Sequence, residues 1–313
     1  MSSDMPVQIE RAAWGGWPNC YRISNGEVEL FVTSDIGPRI MRYGFIGGGN
    51  VFKVYEDGLG KSGEPTWQFR GGHRIWLAPE DRAMSYAADN VPVDVELSGD
   101  VLTLTAPVEP ESGLRKQMSI RMDESGSGVE VVHRMQNCRE TPFQCAIWVL
   151  SIMAPGGVAV TGFPPRGSHA DVLAPTNPLV MWAFSDLRDP RWGFQEKYLI
   201  LHQDPDNSDH TKLGHFNAKT WAAYFLKGDL FIKRYDADPT RIYPDMGCSY
   251  ETFTCAEMLE LETLSPLENA APGAWLEQTE HWTLHKTPPP EAFTDAGIDT
   301  VLLPILQPWL QQK

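Results

Sequence analysis

Apolar residues recur along this chain with a period of two, the mark of strands with one buried face and one wet face. In Glu27 to Val32 the apolar Val28, Leu30 and Val32 share a parity. From Lys116 to Met122, Met118, Ile120 and Met122 alternate with Gln117, Ser119 and Arg121. A Ser-Gly-Ser-Gly turn at 125–128 follows, and Val129, Val131, His133 and Met135 resume the alternation. This is a hairpin written in sequence. Further strands are predicted over 100–106, 229–235, 258–264 and 282–285. The one helical signal is 290–310, where Pro and Gly interrupt the periodicity. Many strands at short spacing, with no helices alternating between them, predict an all-β sandwich with few short helices.

Composition narrows the picture. The 313 residues include 27 Gly and 25 Pro, a turn-rich chain, and neither a linker nor an internal repeat divides it. One domain spanning 1–313 is expected. A net charge of −15 opposes phosphate backbones and anionic membrane surfaces, so neither nucleic acid nor a membrane is expected as a partner. Neutral small molecules remain compatible. The five cysteines are scattered, without metal-ligand or disulfide spacing. Met1 to Glu10 carries no basic and apolar leader pattern, and no run of 18 apolar residues occurs. A cytoplasmic protein is expected. Phosphate-cradle, dinucleotide and metalloprotease motifs are missing from the sequence, and no acidic spacing fits calcium, so neither cofactor nor metal is expected.

Four stretches concentrate residues with chemical potential. The segment 34–41 delivers Arg39 at the exit of a Gly-Pro turn. The segment 69–80 gathers Arg70, His73, Arg74, Trp76 and Glu80 around Gly71-Gly72, which lets the backbone approach a neighbour closely. Proton shuttle, donors, stacking surface and carboxylate lie together there. The segment 241–251 holds Tyr243 and Asp245 in a turn signature that is equally well a purely structural turn, followed by Glu251. In 258–264, Glu260 and Glu262 share one strand face, about 7 Å apart by strand rise. Such a pair is either a solvated outer face or a cleft pair in which proximity raises one pKa.

The last stretch resembles the aldose 1-epimerase (galactose mutarotase-like) group. Leu261-Glu262-Thr263 followed by Ser265-Pro266, then Pro272-Gly273 and the closing 280–284 strand, is similar to that group's late strand, turn and final strand. Residues 25–39 resemble its opening hairpin, and Phe69-Arg70-Gly71-Gly72 resembles a stretch of its hexose-6-phosphate branch. The resemblance implies a β-supersandwich with a sugar cleft, where a Glu base and a His acid exchange protons with the anomeric hydroxyl and ring oxygen. Glu262 takes the base position by motif. Trp148 stands where the group's mid-chain His is expected, so His73 is left for the acid role and Trp148 for stacking on a pyranose. The expected binding set is Arg39, Arg70, Arg74, Trp76, Glu80, Trp148, Tyr243, Asp245, Glu251 and Glu260. Three functions stay open: a mutarotase-like isomerase, a non-catalytic carbohydrate-binding protein, and a glycoside hydrolase or lyase, the last by fold analogy alone.

Overall fold

A computed structural model describes residues 6–312, so the first five residues of the predicted leaderless N-terminus lie outside it. The chain forms two large antiparallel sheets of eleven and ten strands. Strands foreseen from alternation are present as Val28–Thr33, Val101–Thr105, Leu114–Met122, Val129–Asn137, Asp229–Asp236 and Leu259–Leu264. In Leu114–Met122 and Val129–Asn137 buried and half-buried positions alternate without a break. The closing strand is longer than its sequence signal and runs Trp275–Lys286. The two sheets bury one shared core between them, built on residues such as Tyr43, Phe52, Phe231 and Trp282.

The centre of the first sheet is the strand Phe143–Met153, flanked by His73–Ala78 on one side and Leu259–Leu264 on the other. Next outward come Tyr250–Thr254 and Thr211–His215. His73–Ala78 and Leu259–Leu264 are buried along their whole length, because one face meets the second sheet and the other lines a cleft.

The all-β expectation with few helices holds, and the helical signal over 290–310 forms one helix. Asp295–Leu310 is a 16-residue helix that contains Pro304 and Pro308. Thr294 caps it by accepting from the Gly297 amide. Ile298, Leu302, Leu306 and Trp309 form the buried stripe, packed with Phe225, Leu230 and Ile232 of the second sheet. Burial of that stripe outweighs the helix bonds the two prolines remove.

The Gly71-Gly72 pair has a backbone reason to exist. Both residues hold left-handed φ, 76° and 72°, and a Cβ at Gly71 would lie 2.0 Å from the Lys53 carbonyl oxygen. This close approach seats the start of the His73–Ala78 strand. Gly71→Ala is expected to destabilise the protein by about 2 kcal/mol or more, from strain and backbone displacement together. A urea midpoint unchanged from wild type would contradict that account.

Candidate functional site

Cross-strand partners share a sheet face, so the register shows what the first sheet presents on each side. On one face Arg74 pairs with Leu150, Leu150 with Glu262, and Glu262 with Glu251. Trp76 pairs with Trp148 one row away, while Glu260 pairs with Phe253 and Phe253 with Lys212 in a third. This face is the floor of an open cleft of about 840 Å³. Trp76, Trp148, Trp182 and Phe184 supply much of its apolar lining, and Arg74, Lys212 and Glu260 its polar floor.

His73 faces the other way, and its expected partnership with Glu262 is corrected here. It is fully buried between the sheets, where Nε2 meets His133 Nε2 at 2.8 Å and Nδ1 meets Ser151 Oγ at 2.9 Å. The tautomers follow from the neighbours. His133 Nδ1 lies 3.0 Å from the Gln278 carbonyl and must donate, leaving its Nε2 to accept from His73. His73 Nδ1 then accepts from Ser151, whose oxygen accepts from the Lys233 ammonium at 3.2 Å. Lys233 Nζ ends the chain 2.7 Å from Glu280 Oε1. Both histidines are held neutral, primarily by burial, with His133 pushed down to about 4. Among the described residues, His73, His133 and Glu280 are also the group whose ligand atoms lie close enough, within 4.8 Å, to hold a metal. Their ligand atoms are already engaged with one another and with Lys233, so a divalent ion would have to compete with a buried ammonium.

Other expected residues divide between cleft and scaffold. Arg39 is fully buried, with Nε 2.7 Å from Asp89 Oδ2 and Nη1 donating to the Gly71 carbonyl at 3.0 Å. It pins the 79–93 loop beside the strand and does not line the cleft. Arg70 borders the cleft with its guanidinium spent on Glu64, Asn90 and the Gly58 carbonyl. Glu80 stands on the rim and accepts from the Tyr86 hydroxyl at 2.7 Å. Tyr243 and Asp245 do not join the site. Tyr243 packs with Tyr235 and Phe216, and Asp245 holds a left-handed turn at φ 50°, the purely structural alternative.

Glu251 and Glu262 lie sealed beneath the floor, both with no exposure. Glu262 Oε2 accepts from Trp148 Nε1 at 2.7 Å and from Lys212 Nζ at 2.8 Å, and Lys212 Nζ is 2.7 Å from Glu251 Oε2. Burial opposes the Lys212 charge, but these two carboxylates overcome it and hold the ammonium above its ordinary pKa. Burial pushes the Glu251 carboxyl well up against the pull of Lys212, and Glu262 beside it adds to the push. Glu260 differs in facing the open cleft. Burial first and Glu262 second raise its pKa to about 7, against the pull of Arg74 and Lys212. It is the floor carboxyl poised to gain or lose a proton near neutrality. Sequence reasoning missed Lys212, Trp182 and His210. The last lines the cleft, packed edge-on to Phe253 at 5.4 Å.

Two antiparallel sheets with a cleft on one of them form a β-sandwich of the galactose mutarotase-like type. Solved structures bear the fold out at low sequence identity. The Slr1438 protein from Synechocystis sp. PCC 6803 superposes with a TM-score of 0.58 at 11% identity, over 88% of this chain and 99% of its own. A galactose mutarotase-like protein from Lactobacillus casei ATCC 334 gives 0.56 at 12%, over 85% and 100%. A galactose mutarotase related enzyme from Lactobacillus acidophilus gives 0.55 at 9%, over 86% and 98%. No protein-family model matches the sequence, and no curated protein matches it. Among the described residues no helix is long and apolar enough to cross a membrane.

Proposed function

We propose that the protein binds a carbohydrate in this cleft and exchanges a proton with it through Glu260, as an anomer-interconverting enzyme would. The observation that carries the reading is a tryptophan-lined cleft of about 840 Å³ with one carboxyl of pKa about 7 on its floor. Indole faces suit the apolar C–H face of a pyranose, and a carboxyl that titrates near neutrality suits general acid–base chemistry. Glu262, the base position by resemblance, instead holds Trp148 and Lys212 in place. His210, not His73, is the histidine that borders the cleft. A cytoplasmic setting fits the five unpaired cysteines.

Binding without turnover is the second reading, favoured by the sealing of Glu262 and by the burial of His73 in the core. Tryptophan fluorescence titration and saturation-transfer NMR across a panel of aldoses test both. Binding of at least one aldose is expected, weakened about tenfold or more by Trp76→Ala, which removes a buried aromatic anchor. Absence of binding at millimolar concentrations across the panel would remove the carbohydrate reading. Binding without saturation transfer would select the second.

A further inference from the structure

Four buried cations sit at or beside the cleft floor, and three of them are held in close, hydrogen-bonded ion pairs. Arg39 lies 2.7 Å from Asp89, Arg70 lies 2.5 Å from Glu64, and Lys212 lies 2.7 Å from Glu251. Arg74 is the exception. It is only 3% exposed, yet its guanidinium makes no hydrogen bond to any described residue, and its Nε is buried without a partner. The closest carboxylate, Glu260 Oε1, stands 3.7 Å from Nη2, beyond hydrogen-bond reach. Nε is sealed without an acceptor, which is costly, and the Nη donors, unbonded by the protein, are left free for a ligand at the cleft.

The Arg74 group is also pre-oriented. Its plane packs over Trp76 at 4.3 Å and Trp67 at 5.1 Å, which fixes the fork before any ligand arrives. Trp76 in turn meets Trp148 edge-on at 5.3 Å, so the apolar surface continues directly from the cation. A planar fork beside an aromatic wall matches a planar bidentate acceptor attached to a ring with an apolar face.

Resting on the carbohydrate reading above, we propose that the cleft selects a pyranose bearing a carboxylate, a uronic acid, with that carboxylate seated on Arg74. Charge decides between carboxylate and phosphate. Lys212 is already countered by Glu251 and Glu262, and Glu260, Glu80 and Glu257 also border the cleft. Arg74 has only Glu260 as a counter-charge, 3.7 Å away and about half protonated at pH 7, so a ligand monoanion can take up that guanidinium, whereas a phosphate dianion would keep an unmatched charge among carboxylates.

The test is calorimetric titration of the full chain with matched sugars: glucose, glucuronate and glucose 6-phosphate, then galactose and galacturonate. A uronate is expected to bind about tenfold or more tighter than its neutral parent, the scale of one charge-assisted bidentate pair. Arg74→Gln should abolish that preference, and Arg74→Lys, which keeps the charge but loses the fork, should retain only part of it. Near-ultraviolet circular dichroism checks that the variants fold. Equal affinity for a uronate and its neutral parent overturns this inference and leaves the carbohydrate reading standing. Tighter binding of the 6-phosphate overturns the choice of carboxylate, and no binding by any of the five overturns both readings.

Discussion

Lys233→Met is expected to lower the stability of the protein by about 3–5 kcal/mol at pH 7, the cost of stranding one member of a buried ion pair. Lys233 and Glu280 both have no exposed side-chain surface and lie 2.7 Å apart. The ammonium also donates to Ser151 Oγ and to the Leu261 carbonyl, each at 3.2 Å, so its loss frees two further buried acceptors. Glu280 keeps its bond from Trp282 Nε1 at 2.8 Å and the one from Thr263, but these are neutral donors. In the wild type, burial works to raise the Glu280 pKa, and Lys233, helped by the Thr263 hydroxyl, more than offsets it, so the carboxylate sits below its ordinary value. Its contribution is therefore present above the unfolded pKa and lost only as the pH falls through the lower, folded one. In Lys233→Met the main offsetting charge is gone and burial raises the carboxyl instead. The deficit should then shrink as the pH drops towards 5 and the carboxyl takes up a proton. Urea denaturation of both proteins from pH 5 to 8 reads this directly. A deficit under about 1 kcal/mol, or one that grows on acidification, contradicts the assignment.

The same network explains what could and could not be read from the sequence. Alternation disclosed Leu114–Met122 and Val129–Asn137 because each has one core face and one wetter face. It failed for Phe143–Met153, where nine consecutive residues are buried and no polar parity survives. The cluster around Gly71-Gly72 is rich in functional side chains, but neighbours along a strand point to opposite faces. Arg74 and Trp76 therefore reach the cleft, while His73 between the sheets completes a core hydrogen-bond chain. That parity is visible in the sequence once the segment is known to be a strand. Which face is the cleft depends on the second sheet, and no local pattern carries it. Glu260 and Glu262 do share a face, as strand geometry requires. Which of them meets solvent is decided by Trp148 and Lys212 closing over Glu262, two residues brought in from distant strands. The C-terminal helix was legible in the spacing of Ile298, Leu302, Leu306 and Trp309, and was obscured by its prolines.

Glu260→Gln is expected to slow anomer exchange by about 10²–10⁴-fold, the usual cost of a positioned proton-transfer group. Glu262→Gln should act more weakly and through geometry, because Glu262 holds Trp148 and Lys212 without reaching the cleft. In the wild type the rate should rise with pH through about 7 as the Glu260 carboxyl ionises, and that limb should vanish in Glu260→Gln. The same group predicts an opposite effect on stability. Its folded pKa of about 7 lies above the ordinary 4.5, so between those values the folded state holds a proton that the unfolded state releases. Stability must therefore fall as the pH rises across that window, by up to about 3 kcal/mol from this group. The neutral buried histidines oppose the trend, because His133, down at about 4, adds stability over the acid part of the same range. The difference between wild type and Glu260→Gln cancels their share and isolates the carboxyl. Glu260→Gln should be the more stable protein at pH 8 and lose that advantage below pH 5, while being the slower one wherever the wild type turns over. Saturation-transfer NMR and denaturation of the same two samples settle both halves. Full rate in Glu260→Gln, with the rate lost in Glu262→Gln, would return the base to the position that resemblance alone assigned.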